Sequence, residues 1–203
     1  MEKITGNSRP TSNVGDVVAF GSYKWRVLDV ISSTALVITE GITIEETHPY
    51  NKGQRKDVTW EQCTLRAYLN EAFYLRFADA DRTRVLETEV NNEDNPWFGT
   101  ESGNNTRDKI FLLSIEEVVR YFGDSGQLRD KNPSSKYFIN DRFKAKRIAK
   151  HAGRASWWWL RSPGLNGGIA AYVGSGGSVN VSGHRVGNYG GAVRPALLLN
   201  LAS

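Results

Sequence analysis

Apolar stretches near the start of the chain predict an antiparallel meander. Val17–Phe20, Tyr23–Ile31 and residues 35–39 are rich in β-branched and aromatic side chains, and short turns containing Gly or Ser separate them. Trp25 and Val27 are spaced two residues apart within the second stretch. Because successive side chains of a strand point to opposite faces, one face of this strand is predicted to be buried.

Apolar residues at helical spacing predict a first main helix over residues 59–77. Thr59 and Gln62 are spaced as a capping box, which would begin this helix. Cys63 falls inside the same pattern and is interpreted as a small buried hydrophobic residue. A shorter helix is predicted over residues 80–87.

A second capping box, formed by Ser114 and Glu117, predicts a helix over Ile115–Phe122 that ends at Gly123. The apolar run just before it, residues 109–113, predicts a buried strand. The middle of the chain is therefore expected to alternate between strand and helix.

Two apolar segments enclose the last part of the chain. Trp157, Trp158 and Trp159 carry more apolar area than a folded domain usually exposes, since each ring buries about 150–250 Å². Residues 196–199 form an uninterrupted apolar run, which predicts a short central strand beginning just after Pro195. Both segments are expected to pack in the core.

The segment between them, residues 164–193, has an unusual composition. It contains no Asp, Glu, Lys, Gln, Met or Trp, and its one charged residue is Arg185, whereas ordinary surface of that length would carry about seven charges. Its Ser, Asn and Tyr residues are too polar for a dry interior. Binding loops favour these residue types, because they adapt their hydrogen bonding at low entropy cost. The segment therefore predicts an exposed, ligand-facing surface.

Composition and length indicate one folded domain. The chain has 203 residues, 39% of them hydrophobic, and a net charge of +4. Residues 16–203 are predicted to form a single domain, and residues 1–15 a flexible N-terminal arm. No apolar run is long enough to cross a membrane, and no secretory signal pattern is visible, so no membrane insertion is expected.

Few residues offer candidate chemistry. Cys63 is the single cysteine, which excludes an intrachain disulfide and a cysteine-based metal cluster. His48, His151 and His184 have no carboxylate or cysteine at ligand spacing, so no metal and no cofactor are expected. The basic stretch over residues 142–154 has no aromatic platform, and it is interpreted as a solvated face, with nucleic acid an unlikely partner.

The order of motifs near the C-terminus resembles that of a known family. The sequences WWWLRSPG at 157–164, AAYV at 170–173 and GAVRPAL at 191–197, with regularly spaced Gly and Val between them, resemble the variable proteins of diversity-generating retroelements. The resemblance implies an α+β C-type lectin-like fold with small antiparallel sheets, two main helices and long irregular loops. In that family, mutagenesis directed at adenines rewrites the C-terminal region. Randomised Asn-type codons cannot give Lys, Glu, Gln, Met or Trp, although they can give Asp.

The resemblance also implies residue roles. The scaffold would consist of apolar, glycine and arginine positions, namely Trp157, Trp158, Trp159, Arg161, Val173, Gly177, Val179, Gly183, Val186, Val193, Arg194 and Pro195. The diversified, ligand-contacting set would be Asn166, Tyr172, Gly174, Ser175, Ser178, Asn180, Ser182, His184, Arg185, Gly187, Asn188 and Tyr189. Leu165, Gly167 and Ile169 are further candidates for that set.

The implied function is recognition of a receptor or other surface ligand, with no enzymatic step, at the surface of a virion or a microbial cell. Two alternatives stay open: an enzyme on the formylglycine-generating branch of the same fold, which would need reactive cysteines, and a structural or adhesin-like module. Tyr172, His184, Arg185 and Tyr189 are expected to dominate ligand contact, because aromatic residues and Arg supply most binding hot spots. Their joint replacement by alanine is expected to leave the melting temperature nearly unchanged.

Overall fold

The computed structural model describes residues 12–42, 48–53, 56–131 and 137–202. Most of the predicted arm, residues 1–11, lies outside these ranges. The strands are β1 Val17–Phe20, β2 Tyr23–Ile31, β3 Thr34–Thr39, β4 Val85–Leu86, β5 Thr88–Val90, β6 Thr106–Asp108, β7 Phe138–Ile139, β8 Ala149–His151, β9 Arg154–Ser156, β10 Trp158–Pro163, β11 Ile169–Val173, β12 Val179–Arg185 and β13 Ala196–Asn200. The α-helices are α1 Thr64–Tyr68, α2 Asp79–Arg82, α3 Ile115–Phe122, α4 Gln127–Asp130 and α5 Lys144–Arg147.

The predicted meander is confirmed and forms one half of the main sheet. Strands β1, β2 and β3 pair antiparallel in sequence, with Val27 opposite Val37. The C-terminal strand β13 then lies between β3 and β4, giving the strand order β1-β2-β3-β13-β4. Leu197 of β13 also faces Val37, and both residues have no exposed surface. The apolar run 196–199 is therefore a central strand, as predicted.

The first main helix begins later than predicted, because Cys63 and not Thr59 is its N-cap. The Cys63 sulfur accepts a hydrogen bond from the backbone N–H of Arg66. Residues 59–62 instead form a turn that buries Trp60, whose indole N–H donates to a carboxylate oxygen of Asp108 at 2.9 Å. Helical backbone continues after α1 as one π-helical segment, Leu69–Phe73, and one 3₁₀ turn, Tyr74–Arg76.

Two predicted elements differ from the observed ones in extent or type. The helix predicted over residues 80–87 ends at Arg82, because Val85 and Leu86 pair with the outer side of β13. Residues 109–113 are not a regular strand. Phe111 alone makes a two-way backbone bridge to Ala196, with N···O distances of 2.9 and 2.8 Å, while its apolar neighbours pack in the core.

Helix α3 begins and ends as predicted. The Ser114 hydroxyl accepts from the backbone N–H of Glu117, and the Glu117 carboxylate accepts from the backbone N–H of Ser114, which together complete the capping box. Gly123 follows the last turn. One face of this helix, including Ile115 and Val118, is buried against the core.

A second antiparallel sheet has the strand order β10-β11-β12-β7, and the strand pairs β5-β6 and β8-β9 form separate hairpin-like sheets. Buried side chains from both larger sheets and from α1 and α3 form one continuous apolar core. The fold is mixed α+β, with small antiparallel sheets and few helices. The second sheet carries most of the segment whose composition is unusual.

Candidate ligand-binding site

Three aromatic side chains line a cleft of about 290 Å³ on the second sheet. The Trp157 ring lies 5.5 Å from the His184 ring at an interplanar angle of 25°, and 5.1 Å from the Tyr172 ring at 63°. Ser175 and Asn188 complete the polar part of the wall. The cleft is therefore a neutral site that offers aromatic faces, a hydroxyl and an amide.

The three consecutive tryptophans do not share one environment. Trp158 and Trp159 have no exposed surface, and their indole N–H groups donate to the backbone carbonyls of Arg147 and His48, at 3.1 and 3.2 Å. Trp157 is only partly buried and forms a wall of the cleft. The predicted packing is complete for Trp158 and Trp159 and partial for Trp157, which lies against the core with its ring 4.8 Å from that of Trp159.

The valines predicted as scaffold are all in the core. Val173, Val179, Val186 and Val193 have no exposed surface, and neither has Val181, for which the sequence indicated no role. Strands β11 and β12 thus present their apolar side chains inwards. We call the exposed and half-buried residues of 165–192, together with Trp157, the polar face.

Most of the predicted ligand-contacting residues lie on this polar face. Asn166, Ser175, Arg185 and Tyr189 are exposed, and Tyr189 is 55% exposed. The half-buried members of the set are Tyr172, Gly174, Ser178, Ser182, His184, Gly187 and Asn188.

Asn180 is the exception, since only 6% of its surface is exposed. Its amide NH₂ donates to the Tyr172 hydroxyl at 2.9 Å, and its carbonyl oxygen accepts from the Ser182 hydroxyl and from the backbone N–H of Gly183. The prediction of an exposed contact residue is wrong here. Strand β7 pairs with this end of β12 and places Phe138 opposite Asn180. The Asn180 side chain is therefore enclosed, and it stabilises the local shape of the strand.

Two other asparagines of the set also hold the backbone. The side-chain oxygen of Asn166 accepts from the N–H of Gly168 at 3.0 Å, and that of Asn188 accepts from the N–H of Gly190 at 2.6 Å. Such bonds, to an N–H two residues on, fix a turn locally. Both side chains therefore shape the polar face as well as lie on it.

His184 combines ring contacts with an unsatisfied nitrogen. Its Nε2 lies 3.4 Å from the Asn188 amide nitrogen, whereas its Nδ1 has no hydrogen-bond partner among the described residues. Because Tyr172 and His184 both pack on Trp157, replacing them should disturb this aromatic cluster. Replacing Tyr172, His184, Arg185 and Tyr189 together by alanine is therefore expected to lower the melting temperature, contrary to the prediction from the sequence.

Groups outside the segment hold its backbone, and sequence reasoning missed them. The buried side chain of Asn95 donates to the carbonyls of Pro163 and Val181, at 2.8 and 2.9 Å. The backbone N–H of Asn51 donates to the Val186 carbonyl at 2.9 Å, and that of Val58 donates to the Gly167 carbonyl at 2.7 Å. Asn95 follows Asp94 and precedes Pro96 in a turn-forming sequence, which indicated a loop but no specific partner.

A buried ion pair supports the turn between β11 and β12. Arg147 has no exposed surface and pairs with both carboxylate oxygens of Asp141, while its Nε donates to the Gly177 carbonyl at 2.8 Å. Burial acts to raise the pKa of the Asp141 carboxyl, but hydrogen bonds from Arg147 and Ser125 outweigh it and hold this pKa below its ordinary value. The basic stretch over residues 142–154 is thus not wholly a solvated face.

The same turn requires glycine at one position. Gly177 has a φ of +83°, and a Cβ there would lie 1.9 Å from the carbonyl oxygen of Lys144. The backbone N–H of Gly174 donates to the Ser178 carbonyl, and that of Gly177 to the Gly174 carbonyl, both at 2.8 Å. This region is a tight turn packed against α5.

The two arginines of the predicted scaffold are also buried. Arg161, 3% exposed, pairs with the Glu117 carboxylate and donates to the carbonyls of Leu112 and Asn91, both at 2.8 Å. It thereby joins β10 to α3. Arg194 is 2% exposed and donates to two backbone carbonyls at the end of β3.

Among the described residues, no titratable group with a raised pKa lines the cleft. Burial raises the pKa of the Cys63 thiol to about 12 and raises that of Tyr50 well above its ordinary value. Within the described ranges, no three His, Cys, Asp or Glu side chains come together as possible metal ligands. No helix of that same part of the chain is both long enough and apolar enough to cross a membrane.

The chain was compared with known proteins. The profile of a domain of unknown function, DUF6273, matches residues 32–201 and so covers most of the chain, including the second sheet and the polar face but not strands β1 and β2 of the main sheet. No curated protein and no solved structure matches at a significant level. The chain belongs to the DUF6273 family of domains of unknown function.

Proposed function

We propose that this protein binds a ligand through its polar face, and that the residues of this face vary between copies of the gene while the backbone stays the same. The observation that carries the proposal is the origin of the backbone support. Asn95, Asn51, Val58 and Arg147 lie outside residues 164–193, yet they donate hydrogen bonds to backbone carbonyls of this segment. Exposed side chains such as Arg185 can therefore change without removing the groups that hold the strands.

The chemistry of the face fits recognition of a protein or another surface ligand. Its aromatic groups and Arg185 are the residue types that supply most hot spots in interfaces. Its serines and asparagines supply adaptable hydrogen bonds. Tyr189 and Arg185 are exposed, and Tyr172 and His184 line the cleft, so these side chains should contribute most of the binding energy.

The proposal includes a C-type lectin-like fold and diversification by a retroelement. In support, the C-terminal strand β13 returns to pair with the N-terminal meander, two main helical segments pack on the sheets, and a separate antiparallel sheet displays the polar face. The residue types absent from residues 164–193 include those that randomised Asn-type codons cannot produce. The resemblance to the variable proteins of these retroelements also implies display on a virion or a microbial cell surface.

The proposed activity is binding without a chemical step. An enzyme of the formylglycine-generating type would need a reactive thiolate. Cys63 is 2% exposed and its thiol has a pKa of about 12, so it stays protonated at neutral pH and out of reach of a substrate. The cleft is lined by Trp157, Tyr172, Ser175 and His184, a set better suited to contact than to acid–base catalysis between paired carboxylates.

The genomic test is to sequence the locus and related copies of the gene. A nearby reverse transcriptase is expected, with a second, imperfect copy of the last coding segment that differs only at adenines. Codon changes should fall on exposed positions such as Ser175, Arg185 and Tyr189 and spare Val173 and Val179. Identical codons at all these positions in independent copies would refute the diversification part.

A protein-level test compares two libraries of the full chain displayed on yeast. The first randomises Ser175, Ser178, Arg185 and Tyr189. The second library randomises an equal number of buried residues of the same segment, namely Val173, Val179, Asn180 and Val181. Protease resistance should persist in most members of the first library and be lost in most of the second, because only the second removes core contacts. Equal losses would show that the face cannot vary independently of the fold.

Light scattering separates ligand recognition from the alternative of a self-assembling module. A receptor-type protein should remain at one mass across a wide concentration range. If the mass instead rises with concentration and Tyr189→Ala abolishes the rise, the face binds copies of itself and the proposed function is wrong.

A further inference from the structure

A second cavity lies away from the polar face. It has a volume of about 510 Å³, and among the described residues none lines both this cavity and the aromatic cleft. Its walls come from β2, from the end of α3 and from the chain around α5, and Arg194 also borders it. Any ligand of this cavity would therefore bind independently of the proposed function.

The charged groups around the cavity are unbalanced. Among the described residues, Arg26, Lys146 and Arg194 line it, and Glu40 is the one acidic residue in its wall. Glu40 is already engaged, because both of its carboxylate oxygens accept hydrogen bonds from Arg26. Lys146 is exposed and its ammonium lies over the Phe143 ring, 5.4 Å from the centroid. The cavity thus carries excess positive charge.

Arg194 is the unusual member of this wall. Its guanidinium carbon lies 5.4 Å from the Phe122 ring centroid and 5.2 Å from that of Trp158, so the group is held between two aromatic rings. Its Nε donates to the Thr39 carbonyl at 2.8 Å and its Nη2 to the Glu40 carbonyl at 3.3 Å. Among the described residues, its Nη1 has no hydrogen-bond partner and no carboxylate forms an ion pair with the guanidinium.

A buried cation with a free donor is costly unless an acceptor is supplied. Arg194 is 2% exposed, and burial lowers its pKa to about 10. The remaining lining includes Val27, Leu28, Phe122 and Ile148, which offer apolar surface to whatever neutralises the charge. An occupant with one anionic end and an apolar body would satisfy both parts of the wall.

We propose that this cavity binds a small organic carboxylate, whose carboxylate group is held by Arg194 and Lys146 and whose apolar body packs between Leu28 and Phe122. Arg194 is thereby a ligand-binding residue as well as a scaffold residue. Tyr121 borders the same space, and its phenol supplies a further donor.

The test uses the full chain and titrates benzoate while recording two-dimensional ¹H–¹⁵N NMR spectra. Saturable shifts are expected at amides lining the cavity, such as those of Val27, Leu28 and Ala145, with a dissociation constant on the order of 1 mM. Benzamide has the same shape without the charge and should bind about tenfold more weakly or not at all. Sulfate has the charge without the apolar body and should also bind several-fold more weakly.

Lys146→Gln and Lys144→Gln form a matched pair of variants on α5. Both lysines are exposed, but only Lys146 lines the cavity. Lys146→Gln should weaken benzoate binding about three- to tenfold, as expected for loss of one partly screened charge contact. Lys144→Gln should leave it unchanged. The proposal is overturned if benzoate causes no saturable shifts, if benzamide or sulfate binds as tightly, or if the two variants behave alike.

Discussion

Removing the Arg147 guanidinium should be among the most damaging single changes outside the hydrophobic core. Arg147→Met keeps the length of the side chain but deletes the donors to the Asp141 carboxylate and to the Gly177 carbonyl. The side chains of the pair are 0% and 2% exposed, so the carboxylate would stay buried without its counterion. Breaking a buried pair in this way costs about 3–5 kcal/mol.

The remaining bonds of Asp141 limit the damage but do not abolish it. Its carboxylate would still accept from the Ser125 hydroxyl at 2.8 Å and from the Phe143 backbone N–H at 2.9 Å. Adding Asp141→Asn to Arg147→Met removes the unpaired charge. The double variant should therefore be more stable than Arg147→Met by about 1–3 kcal/mol.

Urea unfolding followed by tryptophan fluorescence measures these differences, provided that the transition is two-state. Arg107→Met is the control, because it also breaks an ion pair, in this case with Glu87 at 2.9 Å, but the two side chains are 67% and 47% exposed. That control should change stability by no more than about 0.5 kcal/mol. If Arg147→Met costs less than about 1 kcal/mol, or if the double variant is no more stable than it, the pair does not support the turn as described.

Three further predictions concern the same framework. Trp158→Ala should cost about 3–5 kcal/mol in urea unfolding, since the ring is completely buried, and a melt like that of the parent chain would contradict its place in the core. Gly177→Ala should lower the free energy of unfolding by more than about 2 kcal/mol, because this residue has a positive φ and a Cβ would lie 1.9 Å from a backbone carbonyl oxygen. Gly176→Ala is the control, since a Cβ there would have nothing within 4 Å, and it should change stability by no more than about 0.5 kcal/mol. Equal effects of the two substitutions would refute the argument. The pKa of Asp141 is lowered in the folded state, so the unfolded state binds the extra proton first and stability is lost as the pH falls from the ordinary aspartate range towards the lower native value. Unfolding midpoints measured across that range should fall less steeply in Asp141→Asn, and parallel curves would contradict the assignment.

Local signals predicted the elements whose partners are close in sequence. The Ser114 and Glu117 capping box is complete within one turn, and α3 begins where that pattern indicates. Thr59 and Gln62 have the same spacing, but burial of Trp60 keeps those residues in a turn, and Cys63 begins the helix instead. Propensity and capping decide a boundary only where tertiary packing does not oppose them.

Distance along the chain explains what sequence reasoning missed in the candidate site. The bond from Asn95 to Val181 joins residues 86 positions apart, and nothing in the local pattern of either residue indicates the other. The burial of Asn180 also depends on a partner distant in sequence, because β7 pairs with the end of β12 that carries it. The polar character of the segment predicted a surface, but only the strand order shows which of its residues are enclosed.

The positions best able to vary are those whose side chains hold nothing else in place. Asn180 fixes the bend of β12, and Asn166 and Asn188 fix their own turns, so substitutions there change the shape of the polar face as well as its chemistry. Ser175 and Arg185 are exposed, and for neither do the described residues include a side-chain hydrogen bond or ion pair. A binding surface that varies on a fixed backbone should therefore concentrate its changes at exposed positions such as Ser175 and Arg185. Where Asn166, Asn180 or Asn188 is replaced, the Asn95 and Arg147 side chains still donate hydrogen bonds to the backbone carbonyls of Val181 and Gly177.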